Sequence, residues 1–577
     1  MLKTRLIGGG IATAILALFA LPAAAQSFRV QCPGTTAMHP SDTTNTGADV
    51  YSGPKTPTSV NVTNGVTYQP NGGRIKCQQI SGGDGFATMA DGTQTYLFGF
   101  GPLSGVADIA AGKPGTQLAA TFNQFNVNAS GVINPGIFVG APVDQTAQAV
   151  PSTYNFNAAV GLVPDPNLTQ YDGVNGTYSG PNCVTKEAAS NPACMTGHVD
   201  PRLIMDVGVM NANEPAPLIV IDEDDELFLT LTNVGMIMRP DLFEQHTVHF
   251  HGYPNASAFY DGVPDASIAI NIGGSFSYYY LAPDAGTYFW HCHISPPEHL
   301  QMGMVGQLFV RPRQDRVAVN HSLWASLAGG SGLSGADASG QQSDNRTACH
   351  TEGILCTTPI PAVNNGVTRA ATGRYAYNDG DGSTYYDVDY PIQIHGFDPN
   401  FHFVGMTFNP ESFTDMKDKY FLLNGRSYPD TVSPGTMTTQ STDGVLHASQ
   451  PLPTIINIPV NGKALLRISM LDVTEYQTLA TLGVPMKVVG INARLLRDLA
   501  GNNTEYLTNS ITVAGGESVD VILDATGLPA ESKYFLYTPN LDHLSNDAEN
   551  FGGLMTEVNV CPAATPNVDP NTKNCKA

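Results

Sequence analysis

Apolar and polar residues alternate along much of this chain, and alternation is the period of a half-buried strand. In PLIVIDEDDELFLTLTN an apolar run is followed by Leu227, Leu229 and Leu231 at every second position, which predicts two strands. HTVHFHG (246–252), SFSYYYL, GTYFWHCH and MVGQLFV follow at strand-like spacing, with Gly and Pro turns between them. Together they predict one antiparallel sandwich. A second set runs from YPIQIHG through YFLLNG, LPTIINIPV, KALLRISML, MKVVGI, SVDVILDA and YFLYTP to GLMTEVNV. Gly 59 and Pro 41, with few helical patterns, fit an all-β chain of two sandwiches.

Elsewhere the pattern lapses. From about 105 to 201 the sequence is polar and rich in Asn and Gly, which suggests a long insertion in the first sandwich. The stretch containing GGSGLSGADASGQQSDNR has the composition of a flexible linker. At the start, Lys3 and Arg5 precede an apolar run from Ile11 to Leu21, and Ala23 and Ala25 mark a cleavage point, the features of a secretory signal. The run falls short of the roughly 20 apolar residues that span a bilayer. The expected partition is a signal peptide at 1–25, an extension at 26–93 and a first domain at 94–312, followed by a linker at 313–374, a second domain at 375–560 and a tail at 561–577. The expectation is a soluble protein, periplasmic or secreted.

A formal net charge of −23 at pH 7 argues against nucleic acid or an anionic membrane as partner. Export changes the reading of the nine cysteines, because disulfides persist in oxidising compartments. The nearest sequential pairings are Cys32 with Cys77, Cys183 with Cys194, Cys349 with Cys356 and Cys561 with Cys575, out of about 105 arrangements open to eight cysteines. Cys292 is then left over. It lies between His291 and His293, with His299 and Met304 shortly after and His246, His249 and His251 on a neighbouring predicted strand. Thiolate, imidazole and thioether are the ligands of a blue-copper centre. Six imidazoles and a thiol in two short segments are costly to bury without a metal.

The pattern HTVHFHG, YDGVP and GTYFWHCHISPPEHLQMGM resembles the copper-binding cupredoxin domain of the multicopper oxidases. YFLLNGRSYPDT, PMKVVG, GGESVDVILDA and GGLMTEV resemble the second domain of the two-domain, laccase-like members. The resemblance implies two cupredoxin-like Greek-key β-sandwich domains. It also implies that His246, Cys292, His299 and Met304 hold a type 1 copper that takes single electrons from a small reducing substrate or a redox protein. His249, His251, His291 and His293 match the HxH pairs that face a type 2/type 3 copper cluster where oxygen is reduced. Residues two apart on a strand share a face, so each pair aims two imidazoles one way while Cys292 points the other. Asp261 of YDGVP matches an acidic residue near the oxygen-reducing site; before Gly262 it is equally suited to a turn.

Two departures stand out. Pro296 and Pro297 lengthen the loop before His299, and they read as stiffening it. In the second domain Ala480 and Leu482, then Tyr537 and Pro539, stand where the family places two more HxH pairs, and only His543 remains nearby. The chain alone carries half a cluster. A second copy across a two-fold axis, a partner chain, or an electron-transfer protein without oxidase activity each accounts for that. A nitrite reductase-like reading fits less well, since that family has an aspartate where this chain has His249 and no histidine at the position of His293. Met236 and Met238, Trp290 and Tyr278 to Tyr280 read as core, as the remaining histidines read as satisfied structural groups.

Overall fold

The computed structural model describes residues 30, 32–36, 61–63, 66–68, 73–123, 157–162, 199, 201–252, 257–282, 284–316, 363–364, 367–368, 374–379, 381–407, 412–442 and 444–577. The predicted signal segment and most of the 105–201 and 313–374 stretches lie outside them. So do Cys183, Cys194, Cys349 and Cys356, whereas the Cys32–Cys77 and Cys561–Cys575 disulfides are both formed.

Nine strands build the first sandwich; besides the short Gln117–Leu118, which pairs with β1, they are β1 (Ile75–Thr88), β2 (Gln94–Pro102), β3 (Ile219–Asp222), β4 (Glu226–Gly235), β5 (His249–Phe250), β6 (Ser275–Leu281), β7 (Gly286–His291) and β8 (Val305–Arg311). One sheet runs β2-β1-β4-β6 and the other β3-β8-β7-β5. Leu227, Leu229 and Leu231 of β4 enter the core, as their alternation predicts. On the opposite face Thr230 and Thr232 share hydroxyl hydrogen bonds of 2.7 Å with Ser277 and Ser275 of β6.

Twelve strands build the second; besides Arg494–Leu495 and Tyr506–Thr508, which pair with β14, they are β9 (Val388–Phe397), β10 (Tyr420–Leu423), β11 (Ile456–Ile458), β12 (Lys463–Met470), β13 (Gln477–Leu482), β14 (Met486–Ile491), β15 (Ser510–Val513), β16 (Glu517–Asp524), β17 (Lys533–Tyr537) and β18 (Met555–Val560). Its sheets run β10-β9-β12-β16-β14 and β11-β18-β17-β13-β15. The two sandwiches repeat one cupredoxin-like plan, in which β1 beside β4 corresponds to β9 beside β12, and β3-β8-β7-β5 to β11-β18-β17-β13.

Several expectations are corrected. The sandwiches are not purely antiparallel: β1 and β4, β3 and β8, β9 and β12, and β11 and β18 pair in parallel. Alternation tells which face of a strand is buried but says nothing of its neighbour's direction. Residues 75–88 are not an extension, because β1 fills the middle of the first sheet between β2 and β4. Within 105–201, short helices at 106–110 and 119–122 cover a core with Val207 of the helix Pro201–Gly208. Residues 561–577 are no loose tail either: Val568 enters the second core, and Lys573 bonds to Asp389. At the head of the 313–374 stretch, Gln314 bonds to Asp379 and Asp315 to Tyr375. No helix among the described residues is long and apolar enough to cross a membrane.

A candidate copper centre

β7 ends at His291, and the chain leaves the sheet through Cys292 and His293 before turning into α1 (Pro296–Gln301). Ser295 enters that helix in the left-handed region, at φ 40°, and Pro296 and Pro297 occupy its first turn, where proline's fixed φ suits a helix start. The two prolines thus do more than stiffen a loop: they begin the helix that carries His299. Beyond it, Met304 N–H donates to His299 O at 2.8 Å, and Cys292 N–H donates to Met304 O at 3.1 Å. This closes the segment into a loop that holds Cys292, His299 and Met304 together.

His246 completes the group from the strand edge before β5. His299 Nδ1 lies 3.3 Å from Cys292 Sγ and His246 Nδ1 4.0 Å from it, and all three residues are buried. A tetrahedral ion with sulfur at ~2.3 Å and nitrogen at ~2.0 Å would set them about 3.5 Å apart, so the spacing fits one metal. The chemistry fits as well. Cys292 is the free cysteine among the described residues, and burial pushes its thiol up to about 11, so without a cation a thiolate there would be unfavourable. Burial holds His246 well below the ordinary histidine value and takes His299 down to about 3, which leaves both imidazoles neutral and ready to donate lone pairs. Met304 is fully buried in the same core. Thr247 N–H points at the sulfur from 3.5 Å.

On the other side of this backbone lies a second group. His249 of β5 sits directly across from His291 of β7. His251 Nε2 and His291 Nε2 are 2.8 Å apart, and the His249, His251 and His291 donors all lie within 4.8 Å of one another. The His293 ring centroid is 5.0 Å from that of His249 and 5.7 Å from that of His291. Carbonyl oxygens fix two of the tautomers. His249 Nδ1 donates to Asp261 O at 2.6 Å and His291 Nδ1 to Cys292 O at 2.6 Å, which leaves each Nε2 lone pair for a ligand. Burial and the neighbouring imidazoles lower His251 to about 4; burial likewise lowers His291 to about 3. The Asp261 carboxylate lies 3.5 Å from His249 Nδ1, at the rim.

Both groups therefore bring together the histidines, the cysteine and the aspartate that the motifs single out. The registers also align the two sandwiches at this point: Ala480 of β13 faces Tyr537 of β17 as His249 faces His291. Leu482 is exposed there, in the place that His251 takes in the first sandwich. His543 is buried in an internal network, bonded to Gln477 and Glu475 and stacked on Phe421 at 3.9 Å. His395 pairs with Glu214 and His447 lies beside Asn211, both as structural groups. Sequence reasoning missed Gly82, above which the His246 ring lies: a Cβ at Gly82 would come within 2.8 Å of His246 Cδ2. A paired glycine inside a strand pattern is the signal of close approach that was available. Glu244, 3.8 Å from His299 Nε2, was also missed.

Two cupredoxin-like sandwiches with this set of thiol, thioether and imidazole donors have the chemistry to hold a soft metal. Residues 195–315 match the family model described as multicopper oxidase. A multicopper oxidase of Talaromyces pinophilus is 32% identical over 112 residues, covering 19% of this chain and 17% of that protein. Laccase 1 of Metarhizium guizhouense is 30% identical over 120 residues, covering 20% and 18%. Among solved structures, the blue copper oxidase from Nitrosomonas europaea matches with a TM-score of 0.38 and 20% identity, covering 60% of this chain and 77% of that one. The stretch that carries both donor groups is thus similar to the copper-binding region of multicopper oxidases. It spans less than a fifth of the length of these curated relatives.

Proposed function

We propose that this protein is an exported copper-dependent oxidoreductase of the multicopper oxidase type. It draws single electrons from a small reducing substrate or a redox protein and uses oxygen as acceptor. One observation carries the reading: Cys292 belongs to one donor group while its peptide neighbours His291 and His293 belong to the other, so a few covalent bonds join the two. Copper bound at the two groups would supply one-electron transfer and, as a cluster, oxygen reduction. His246, Cys292, His299 and Met304 form the ligand set of the electron-accepting site, kept dry by the core around them. The Thr247 amide draws charge from the sulfur and thereby tunes its donor strength. His249, His251, His291 and His293 are the ligands on the other side. Asp261 positions His249 through its carbonyl, and its carboxylate hands protons between solvent and this group.

The register of β13 against β17 supports a second reading. Ala480, Leu482, Tyr537 and Pro539 offer no imidazole, so one chain supplies half of a cluster; a copy related by a two-fold axis, or a partner chain, would supply the rest. Without either, the protein is a type 1 electron carrier. Copper per chain, measured with electron paramagnetic resonance and oligomeric mass, separates these. About two and a half coppers per chain in an even-numbered oligomer supports the shared cluster, and about one, all type 1, supports the carrier. Cys292→Ser is expected to abolish the blue absorption in either case; a blue Ser variant would overturn the ligand assignment.

A further inference from the structure

The second sandwich, which has no HxH pair on β13 or β17, grips the helix that carries His299. Gln301, the last residue of α1, is fully buried. Its Nε2 donates to Asp418 Oδ1 at 2.9 Å, and its Oε1 accepts from Asp398 N at 2.9 Å. Both partners belong to the second sandwich, and both are held firmly. Asp398 caps the helix α2 (Pro399–Gly405) by accepting from Asn400 N and Phe401 N, and its other carboxylate oxygen accepts from Lys417 N. Asp418 also accepts from Thr474 Oγ1, which reaches Asp472 as well. From α2 the His402 ring lies between Gln301 O, at 2.9 Å, and Tyr96 O of β2, at 2.5 Å. Immediately after Gln301, Met302 O accepts from Phe98 N at 3.0 Å.

Beyond this anchor the chain has only Met302 and Gly303 before Met304, whose amide and carbonyl tie His299 to Cys292. A shift at Gln301 therefore has no slack in which to dissipate before it reaches the donor atoms. We infer that Gln301 is a positioning residue: through it Asp418 and Asp398 fix the spacing of His299, Cys292 and Met304 before any metal binds. The inference rests on the proposed copper site, and it gives the second sandwich a role in place of the HxH pairs it lacks. A ligand loop held from outside keeps one geometry in both oxidation states, which favours fast electron transfer.

Four variants test it. Gln301→Met and Asp418→Ala break the bond from either side. Asp418→Asn keeps an oxygen acceptor, and Thr287→Val removes an inter-sandwich bond elsewhere, that of Thr287 Oγ1 to Asp520. In copper-free protein the first two should speed hydrogen exchange at the Met302, Gly303 and Met304 amides by roughly tenfold, the cost of a lost hydrogen bond between buried groups. In copper-loaded protein they should shift the type 1 resonance and reduction potential. Asp418→Asn and Thr287→Val should match the parent in both measurements. Parental exchange in Gln301→Met and Asp418→Ala would overturn the inference, as would an equal effect of Thr287→Val. If one breaking variant fails to fold, the other decides. A parent with no type 1 signal would refute the copper reading, and the metal-free exchange would still decide the role of Gln301.

Discussion

At the scale of single residues, the geometry of the proposed copper ligands depends on a missing side chain as much as on those present. The His246 ring lies against β1 at Gly82, where a methyl group would stand 2.8 Å from its Cδ2 and 3.2 Å from its Cγ. His246 has little room to yield, since its ring is buried and its backbone is bridged to Ile270. Gly82→Ala should therefore cost about 1–3 kcal/mol, the range for overpacking a tight core, and displace His246 from the sulfur. Denaturant unfolding and the type 1 resonance of the copper-loaded variant check this; an unaltered resonance would mean that the ring moves aside freely. Cys292, His299 and Met304 could be read from spacing because they lie within one short loop. Gly82 could not be linked to His246 in the same way, because the contact joins residues far apart in sequence and no local period reports it.

At the scale of elements, β5 and β7 are short and paired across His249 and His291, and this single register aims the imidazoles outward while Cys292 turns inward. Replacing His249 and His293 together by Ala should remove donors from the outward group and leave the inward one whole. The expected result is a blue protein whose oxygen consumption falls to the level of free copper in buffer. Oxygen uptake equal to the parent's would place the chemistry elsewhere. The strands themselves were legible because each buries one face, so that Leu227, Leu229 and Leu231 declare β4 without help from tertiary structure. Their order was not, since the pairing of β1 with β4 joins residues separated by the whole 105–201 stretch. α1 was hidden for a different reason: six residues are too few to display a helical period, and Ser295, Pro296, Pro297 and Glu298 mark a helix start only once the two prolines are read as its first turn.

At the scale of the whole molecule, the sandwiches meet through buried polar groups that are costly to leave unpaired. Gln307 of β8 donates to Arg467 O at 2.9 Å and to Ser469 Oγ at 2.8 Å, while the Arg467 guanidinium lies 4.4 Å above the Phe309 ring. Arg467 is itself fully buried, with Nε 3.3 Å from Asp389. Burial alone would raise the Asp389 carboxyl; Lys573 and Arg467 outweigh it and hold the group below the ordinary aspartate value. Arg467→Met preserves much of the volume but removes that charge and leaves Asp389 with Lys573 and the more distant Arg374. A buried ion broken on one side typically costs about 3–5 kcal/mol, and the surviving lysine places this variant at the lower end. The sign of the pH dependence follows from the lowered carboxyl. Asp389 contributes stability in full above its unfolded value, near 3.9, and loses it as pH falls toward the folded one. Removing Arg467 should therefore cost most near neutrality and progressively less in acid. Unfolding of parent and variant near neutrality and again in acid measures the difference: a gap that narrows in acid places the contribution of Arg467 in its charge, and a constant gap places it in packing against Phe309.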